Sequence, residues 1–316
     1  MTGTDSPTEL DRVLVVGAGA IGTSWAAHFL AFGLEVTLAD PVTDTHGPAE
    51  RRVLSYLTQI RPDQAEELLA NLSLTGDAVA AATDTDLVVE AGPERLDLKR
   101  ELFAALDEAA PARVLLTSSS SGLMPSQFSD ACLRHPERVL IAHPFNPPHL
   151  VALVELVAAP STSQQAMAAA EKVFAATGKR TIRVRKELPG HVVNRLQAAL
   201  WREAYHLVAI GAASVSDIDT AIASGPGLRW ALLGPFATQH LSGGGKGIAH
   251  VLDHLGPPML DWWADLGDPE LSPDLVAAIV AGTDEEIQGQ DEDDLLRRRD
   301  AALVDLVELK RASGLD

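Results

Sequence analysis

The chain is poor in cysteine, in basic residues and in long apolar runs, and each shortage removes a class of function. Its 316 residues include one cysteine, Cys132. No intrachain disulfide can form, which fits a reducing compartment, and a cytoplasmic protein is expected. Cys132 lies in a polar stretch without a histidine–aspartate context, so a structural thiol is expected rather than a nucleophile. Lysine and arginine number 25 against 44 aspartates and glutamates, for a formal charge of −19. No Lys/Arg run supplies the basic patch of a nucleic-acid binder, and the acidity opposes binding of a polyanion. No apolar run reaches the roughly 18 residues of a membrane span. The opening Met1-Thr-Gly-Thr-Asp-Ser-Pro-Thr8 lacks the basic start and apolar middle of a secretory signal. Neither nucleic acid nor membrane is expected as a partner, no metal is expected, and the first ten residues should form a short tail. The acidic stretches Asp284–Glu286 and Asp291–Asp294 read as solvated faces or helix starts.

What is present is an alternation of short β-branched runs with helical patterns. Arg12–Val16 reads as a buried parallel strand ending at Gly17, followed by a helix from Ala20 to about Phe32 and a second strand over Leu34–Asp40. Further strands are expected over 85–90, 113–117, 138–142 and 180–184, with an extended segment over 150–157. Helices are expected over 49–60, 62–70, 96–109 and 163–177. This is the pattern of a Rossmann-type, doubly wound α/β sheet. After Pro189 the strand signals stop. Helical patterns follow over 191–210, 216–223, 247–255, 273–281 and 291–312. We expect two domains: residues 1–187 binding a nucleotide, and an all-helical domain over 188–316 serving substrate binding and dimerisation.

Gly17-Ala-Gly19-Ala20-Ile21-Gly22 is a G-x-G-x-x-G set between a strand and a helix, and Asp40 lies at the tip of the next strand. Alone the motif is weak; in this context it points to a dinucleotide. Gly17 permits the tight turn, Gly19 the approach of a pyrophosphate, and Gly22 the close packing of helix on strand. The first turn of the helix, Ala20 and Ile21 included, turns its amides toward the phosphates. A carboxylate at Asp40 would accept from a ribose 2′-hydroxyl and repel a 2′-phosphate, and Pro41-Val42-Thr43 brings no arginine. NAD is therefore expected over NADP. An FAD site would usually need further nucleotide-binding elements, which are not found.

The second constellation is Ala142-His143-Pro-Phe-Asn-Pro-Pro148, directly after a strand, with Glu155 at the far side of the proline-rich turn. Ligand sites of α/β sheets lie in such loops. The turn can fold Glu155 back beside His143. The imidazole would then take a hydroxyl proton as hydride leaves carbon, while the carboxylate fixes its tautomer.

Four motifs together resemble the L-3-hydroxyacyl-CoA dehydrogenase superfamily over nearly the whole chain: Gly17–Gly22, Val88-Val-Glu-Ala-Gly-Pro-Glu94, His143-Pro-Phe-Asn-Pro with Glu155, and Pro189-Gly-His-Val-Val-Asn194-Arg195. The resemblance implies that His143 and Glu155 form a catalytic dyad. It further implies that Asn194 helps to hold the substrate oxygen and that Ser121, with Ser120 as fallback, contacts the substrate hydroxyl. Glu94 and Lys99 would line the cofactor, and the helical domain commonly forms a homodimer.

His143-Pro-Phe, where the acyl-CoA enzymes carry His-Phe-Phe, and Arg229-Trp230, which those enzymes lack, are similar to the branch holding L-carnitine dehydrogenase and L-gulonate 3-dehydrogenase, which includes lambda-crystallin. That branch implies oxidation of a small free L-3-hydroxy acid to the 3-keto acid. Arg229 would pair with the substrate carboxylate. Trp230, Tyr205, Trp262 and Trp263 are candidates for an aromatic cage around a quaternary ammonium. An L-3-hydroxyacyl-CoA dehydrogenase is the alternative, although only Arg51, Arg52 and Arg61 offer charge to CoA phosphates after Glu50. A non-catalytic, crystallin-like NAD-binding protein is the second alternative.

Overall fold

A computed structural model describes residues 10–315; the expected N-terminal tail, up to residue 9, lies outside the described residues. In chain order the first part runs β1 Arg12–Val16, α1 Ala20–Leu30, β2 Glu35–Ala39, α2 His46–Ile60, α3 Ala65–Leu69, β3 Leu72–Thr75, α4 Ala78–Ala81, β4 Leu87–Glu90, α5 Leu96–Ala109, β5 Leu115–Ser118, α6 Ser126–Ser129, β6 Val139–Pro144, β7 Leu153–Ala158, α7 Gln164–Ala176 and β8 Arg180–Val184. The strands form one sheet in the order β3-β2-β1-β4-β5-β6-β7-β8. All neighbours are parallel except β6 and β7. The Rossmann-type fold expected from the sequence is the fold observed.

The strand period of two divides the core between the two faces of the sheet. Val13 and Val15 of β1 join Trp25, Phe29 and Phe174 from α1 and α7 on one face. Leu14 and Val16 join Phe103, Leu106 and Phe128 from α5 and α6 on the other. Each fully buried side chain of this size contributes about 1.5–3 kcal/mol. Cys132 is buried in the second cluster. Its Sγ faces the Phe103 carbonyl at 3.4 Å, and burial pushes its thiol up to about 12, an inert structural residue.

Beneath the second cluster lies a charged girder. The Arg138 guanidinium pairs with Asp107 at 3.0 Å and also donates to the carbonyls of Ala110, Pro111 and Val114. Asp107 in turn accepts from the amides of Arg134 and His135. Both terminal nitrogens of the buried guanidinium are thus hydrogen-bonded, as burial of a charge demands, while Nε has no partner among the described residues.

β3 was not expected from the sequence. Its four residues form a partly exposed edge strand, too short and too mixed to carry an apolar signal. The antiparallel turn of β7 against β6 was likewise unread, because an isolated extended segment does not state its direction.

The second part is helical: α8 Val193–Ala209, α9 Val215–Ala223, α10 Pro226–Leu232, α11 Pro235–Ser242, α12 Gly247–Asp265, α13 Pro273–Glu286 and α14 Glu292–Ala312. The boundary between the two units falls at Arg195/Leu196. The helices α10 and α11 were not expected from the sequence; each opens on a Gly-Pro pair, Gly225-Pro226 and Gly234-Pro235. In the structure both prolines sit at the first helical position, where a missing N–H costs nothing. α12 also continues past its expected end at Leu255, through Pro257 and Pro258. Within this unit Val251 and Leu275 are the buried hydrophobic residues among those described.

Candidate active site

Three loops at the carboxyl ends of β1, β4–β5 and β6 supply the expected site. In the first, Gly17 has φ 107°, and a Cβ there would lie 2.6 Å from the Ala91 carbonyl oxygen. A Cβ at Gly22 would lie 1.8 Å from the Gly17 carbonyl oxygen, whereas one at Gly19 would meet nothing within 4 Å. Gly17 and Gly22 are thus required by the turn and by the helix contact, and the space over Gly19 is open. The α1 N-terminus carries no side-chain cap and no acidic residue in its first turn. Its free amides, those of Ala20 and Ile21 among them, leave a positive pole suited to a pyrophosphate. Asp40 accepts from the amides of Ala18 at 2.8 Å and Val42 at 2.9 Å. An ionised carboxylate has about four acceptor positions, so capacity remains for ribose hydroxyls. These residues fit a dinucleotide.

Arg52, on α2, brings its guanidinium 3.4 Å from the Ala18 carbonyl oxygen. In the sequence Arg52 stands out only as a charge that could meet CoA phosphates. Its approach to the glycine loop is a contact between elements far apart in sequence, which no local pattern signals.

The second loop follows β5. Glu94 accepts from the Ser120 hydroxyl at 2.5 Å and from the amides of Gly122 and Leu123 at 2.8 and 2.9 Å. Burial raises its pKa, but these hydrogen bonds and the Lys99 charge outweigh burial and hold the carboxyl below its ordinary value. The Ser120 hydroxyl is committed to Glu94, while Ser121 beside it is exposed. Lys99 is buried and bound to Glu90 at 2.5 Å and to Ser118 at 3.2 Å. It stands inside the unit as a support of β4 and β5, with its ammonium donating to both strands.

The histidine lies near the carboxyl end of β6 itself, just before the third loop. β6 and β7 pair so that His143 and Glu155 are directly opposite, which puts both side chains on one face of the sheet. His143 Nδ1 lies 2.9 Å from Glu155 Oε2, and both residues are buried. A carboxylate only accepts, so Nδ1 carries a proton, and the neutral ring then has its lone pair on Nε2. Glu155 Oε1 accepts from the amides of Val192 at 2.9 Å and Val193 at 3.1 Å, at the start of α8. Burial raises the Glu155 pKa, and the bonds from His143, Val192 and Val193 more than reverse it, so the carboxyl lies below its ordinary value. The helix N-terminus favours the same anion. Asn194 is half-buried in the first turn of α8, directly after those amides.

His191 was not singled out in the sequence. It is fully buried, has φ 49°, and its ring centroid lies 5.3 Å from that of His143. Gly190 at φ 73° precedes it, and the Pro-Gly pair is the one local sign of this turn. Arg229 and Trp230 lie on α10 of the helical unit, both exposed. Among the described residues no carboxylate pairs with Arg229.

The family model of the 3-hydroxyacyl-CoA dehydrogenase NAD binding domain matches residues 12–188. That of the 3-hydroxyacyl-CoA dehydrogenase C-terminal domain matches residues 190–282. The chain belongs to the 3-hydroxyacyl-CoA dehydrogenase family. It is 45% identical to an L-carnitine dehydrogenase of Streptomyces coelicolor, over 98% of this chain and 96% of the relative. It is 40% identical to a 3-hydroxyacyl-CoA dehydrogenase of Gibberella moniliformis, over 96% of each. Among solved structures it resembles an NAD+-dependent 5-formyl-3-hydroxy-2-methylpyridine 4-carboxylic acid 5-dehydrogenase, at a TM-score of 0.78 and 25% identity, covering 96% of this chain and 99% of that one. This family member is an NAD-dependent oxidoreductase acting on a CH–OH group, and NAD is its cofactor. No helix among the described residues is long and apolar enough to cross a membrane.

Proposed function

We propose that the protein oxidises the 3-hydroxyl of a small free L-3-hydroxy acid, carnitine-like in form, to the 3-keto acid in the cytoplasm. The observation that carries this reading is the His143–Glu155 pair, whose fixed tautomer leaves Nε2 of His143 as the only ring position able to accept a proton. NAD, when bound, supplies the hydride acceptor. His143 Nε2 takes the hydroxyl proton, the C–H electron pair leaves as hydride, and the C–O bond becomes the ketone. Glu155 stabilises the imidazolium that results. It stays ionised because three donors hold it: the His143 ring and the Val192 and Val193 amides. Ser121 and Asn194 hold the substrate oxygen in this reading. Gly17, Gly19, Ala20, Ile21, Gly22 and Asp40 hold the dinucleotide, and Glu94 shapes the loop next to it. Lys99 acts one layer behind, through Glu90 and Ser118.

The free-acid substrate class is supported by the L-carnitine dehydrogenase relatives and by the unpaired guanidinium of Arg229. We assign Arg229 to the substrate carboxylate and Trp230 to its neighbourhood. Arg229→Ala should raise KM for the acid by about tenfold or more, with KM for NAD unchanged. An unchanged KM for the acid would remove that assignment. The Gibberella relative keeps the CoA ester as a second reading.

The test of the function is NADH formation with NAD and L-carnitine, L-gulonate, L-3-hydroxybutyrate or L-3-hydroxybutyryl-CoA. Turnover of a free acid supports the proposal. Turnover of the CoA ester alone overturns it in favour of the second reading. NAD binding without turnover of any of these supports the non-catalytic alternative.

We also propose that the helical unit pairs with a second copy of the chain. Its apolar side chains are turned outward: Trp201, Trp262 and Trp263 are 48, 59 and 62% exposed. Patches of this kind mark interfaces, and a homodimer covers the same patch twice with one contact.

A further inference from the structure

One buried side chain of the site has no role in the chemistry above. His191 is fully buried, and its Nε2 lies 3.1 Å from the Ser120 carbonyl oxygen. A carbonyl accepts only, so Nε2 carries the hydrogen. Nδ1 is buried and has no hydrogen-bond partner among the described residues. A ring protonated at both nitrogens would leave a buried N–H without an acceptor, which is costly. Burial lowers the His191 pKa foremost; the bond to the Ser120 carbonyl raises it, the neighbouring His143 lowers it, and Glu155 and Glu94 raise it, the net shift being downward. The ring is therefore held neutral, with one fixed donor.

That donor sits where two halves of the site meet. The Ser120 carbonyl and the Ser121 amide are one peptide plane, so a hydrogen bond to the carbonyl sets the direction in which Ser121 leaves the strand. The other face of that loop is held by Glu94, through the Ser120 hydroxyl and the Gly122 and Leu123 amides. On its own chain His191 precedes the Val192 and Val193 amides that grip Glu155. Its left-handed φ of 49° is uncommon for a residue with a side chain, though histidine is among those enriched there. Such a conformation persists where surrounding contacts over-determine it.

We infer that His191 is a positioning residue that couples the two halves of the site: its Nε2–H fixes the Ser120–Ser121 peptide while its backbone turn aims two amides at Glu155. The inference rests on the proposed roles of Ser121 and the His143–Glu155 pair. It assigns the residue to geometry and not to proton transfer.

Two variants separate this role from simple packing. Gln at 191 keeps a donor at about the reach of Nε2 and loses the ring. Phe keeps the ring shape and loses the donor. Positioning predicts that His191→Gln retains kcat within about threefold, and that His191→Phe lowers kcat by about tenfold or more, the effect of one lost buried hydrogen bond. KM for NAD should be unchanged in both. The reverse order, with Phe at wild-type kcat and Gln impaired, would mean packing and overturn the inference.

A second measurement needs no turnover. In histidine-labelled wild-type protein, the ¹⁵N signals lost in His191→Gln should belong to a ring protonated at Nε2 and bare at Nδ1, from about pH 7 to about pH 9. An imidazolium or an Nδ1–H tautomer overturns the inference even if the Phe variant does not fold. His143→Gln run in parallel distinguishes the two layers. Wild-type turnover by His143→Gln overturns the reading of the base and the inference with it. Its loss, beside wild-type turnover in His191→Phe, overturns the inference alone.

Discussion

The sheet unit covers both faces of its sheet with its own helices, while the helical unit leaves most of its large apolar side chains facing outward. β1 is a fair measure of the first: Val13, Leu14, Val15 and Val16 are all buried, alternating between two clusters. α8 is a fair measure of the second: it contains no buried residue. A helix earns most of its stability in a protein from tertiary packing of its apolar face. The contrast therefore teaches that the first unit carries a complete core and a complete hydrogen-bonded pair, and that the second needs more surface than it supplies to itself. The site residues joined by hydrogen bonds, from Asp40 to Val193, all lie in the unit with the finished core.

Three variants break or sharpen that contrast. The largest effect is expected inside the finished core. Arg138→Met leaves Asp107 charged and buried without its ionic partner, at a cost of about 3–5 kcal/mol. Urea unfolding of the sheet unit should register that loss, and a shift under about 1 kcal/mol would mean that the pair is no more than a surface bridge.

The next is Glu155→Gln, which sharpens the contrast by pH. The folded Glu155 carboxyl lies below its ordinary value. Its contribution is therefore fully present above the unfolded carboxylate pKa of about 4.3. It is lost as pH falls through the lower folded value. The stability advantage of wild type over Glu155→Gln should be constant near neutral pH and shrink in acid. An advantage that grows in acid would reverse the sign and contradict the geometry.

The smallest effect on folding of the sheet unit is expected from Trp262→Glu combined with Trp263→Glu. These charges should shift the protein toward monomer in sedimentation, by about tenfold or more in dissociation constant, without unfolding the sheet. An unchanged mass would show that this face of α12 is not in the contact.

The legible part of this molecule was the part with local grammar. Gly17, Gly19 and Gly22 with Asp40 state a strand–turn–helix–strand unit in consecutive residues, and the sheet follows from it. His143 and Glu155 were readable as a pair because a proline-rich turn joins two apolar runs; that they are register partners across an antiparallel ladder was not, since nothing local fixes strand direction. β3 was missed because a mixed four-residue edge resembles a loop. α10 and α11 were missed because a proline that starts a helix looks, in sequence, like one that ends it. His191 and Arg52 were missed for a different reason: their meaning lies in contacts with Ser120 and Ala18, residues distant in sequence. The contacts of Lys99 with Glu90 and Ser118 were likewise not legible, since they join residues distant in sequence.

In the proposed reaction His143, set by Glu155, takes the proton when the alcohol is oxidised. The most direct test is the single-turnover rate of hydride transfer in His143→Gln with NAD and a free 3-hydroxy acid that the wild type oxidises. A proton taken by His143 means a loss of about 10²–10⁴-fold, with NAD affinity and melting temperature unchanged. A rate within a few-fold of wild type would contradict it.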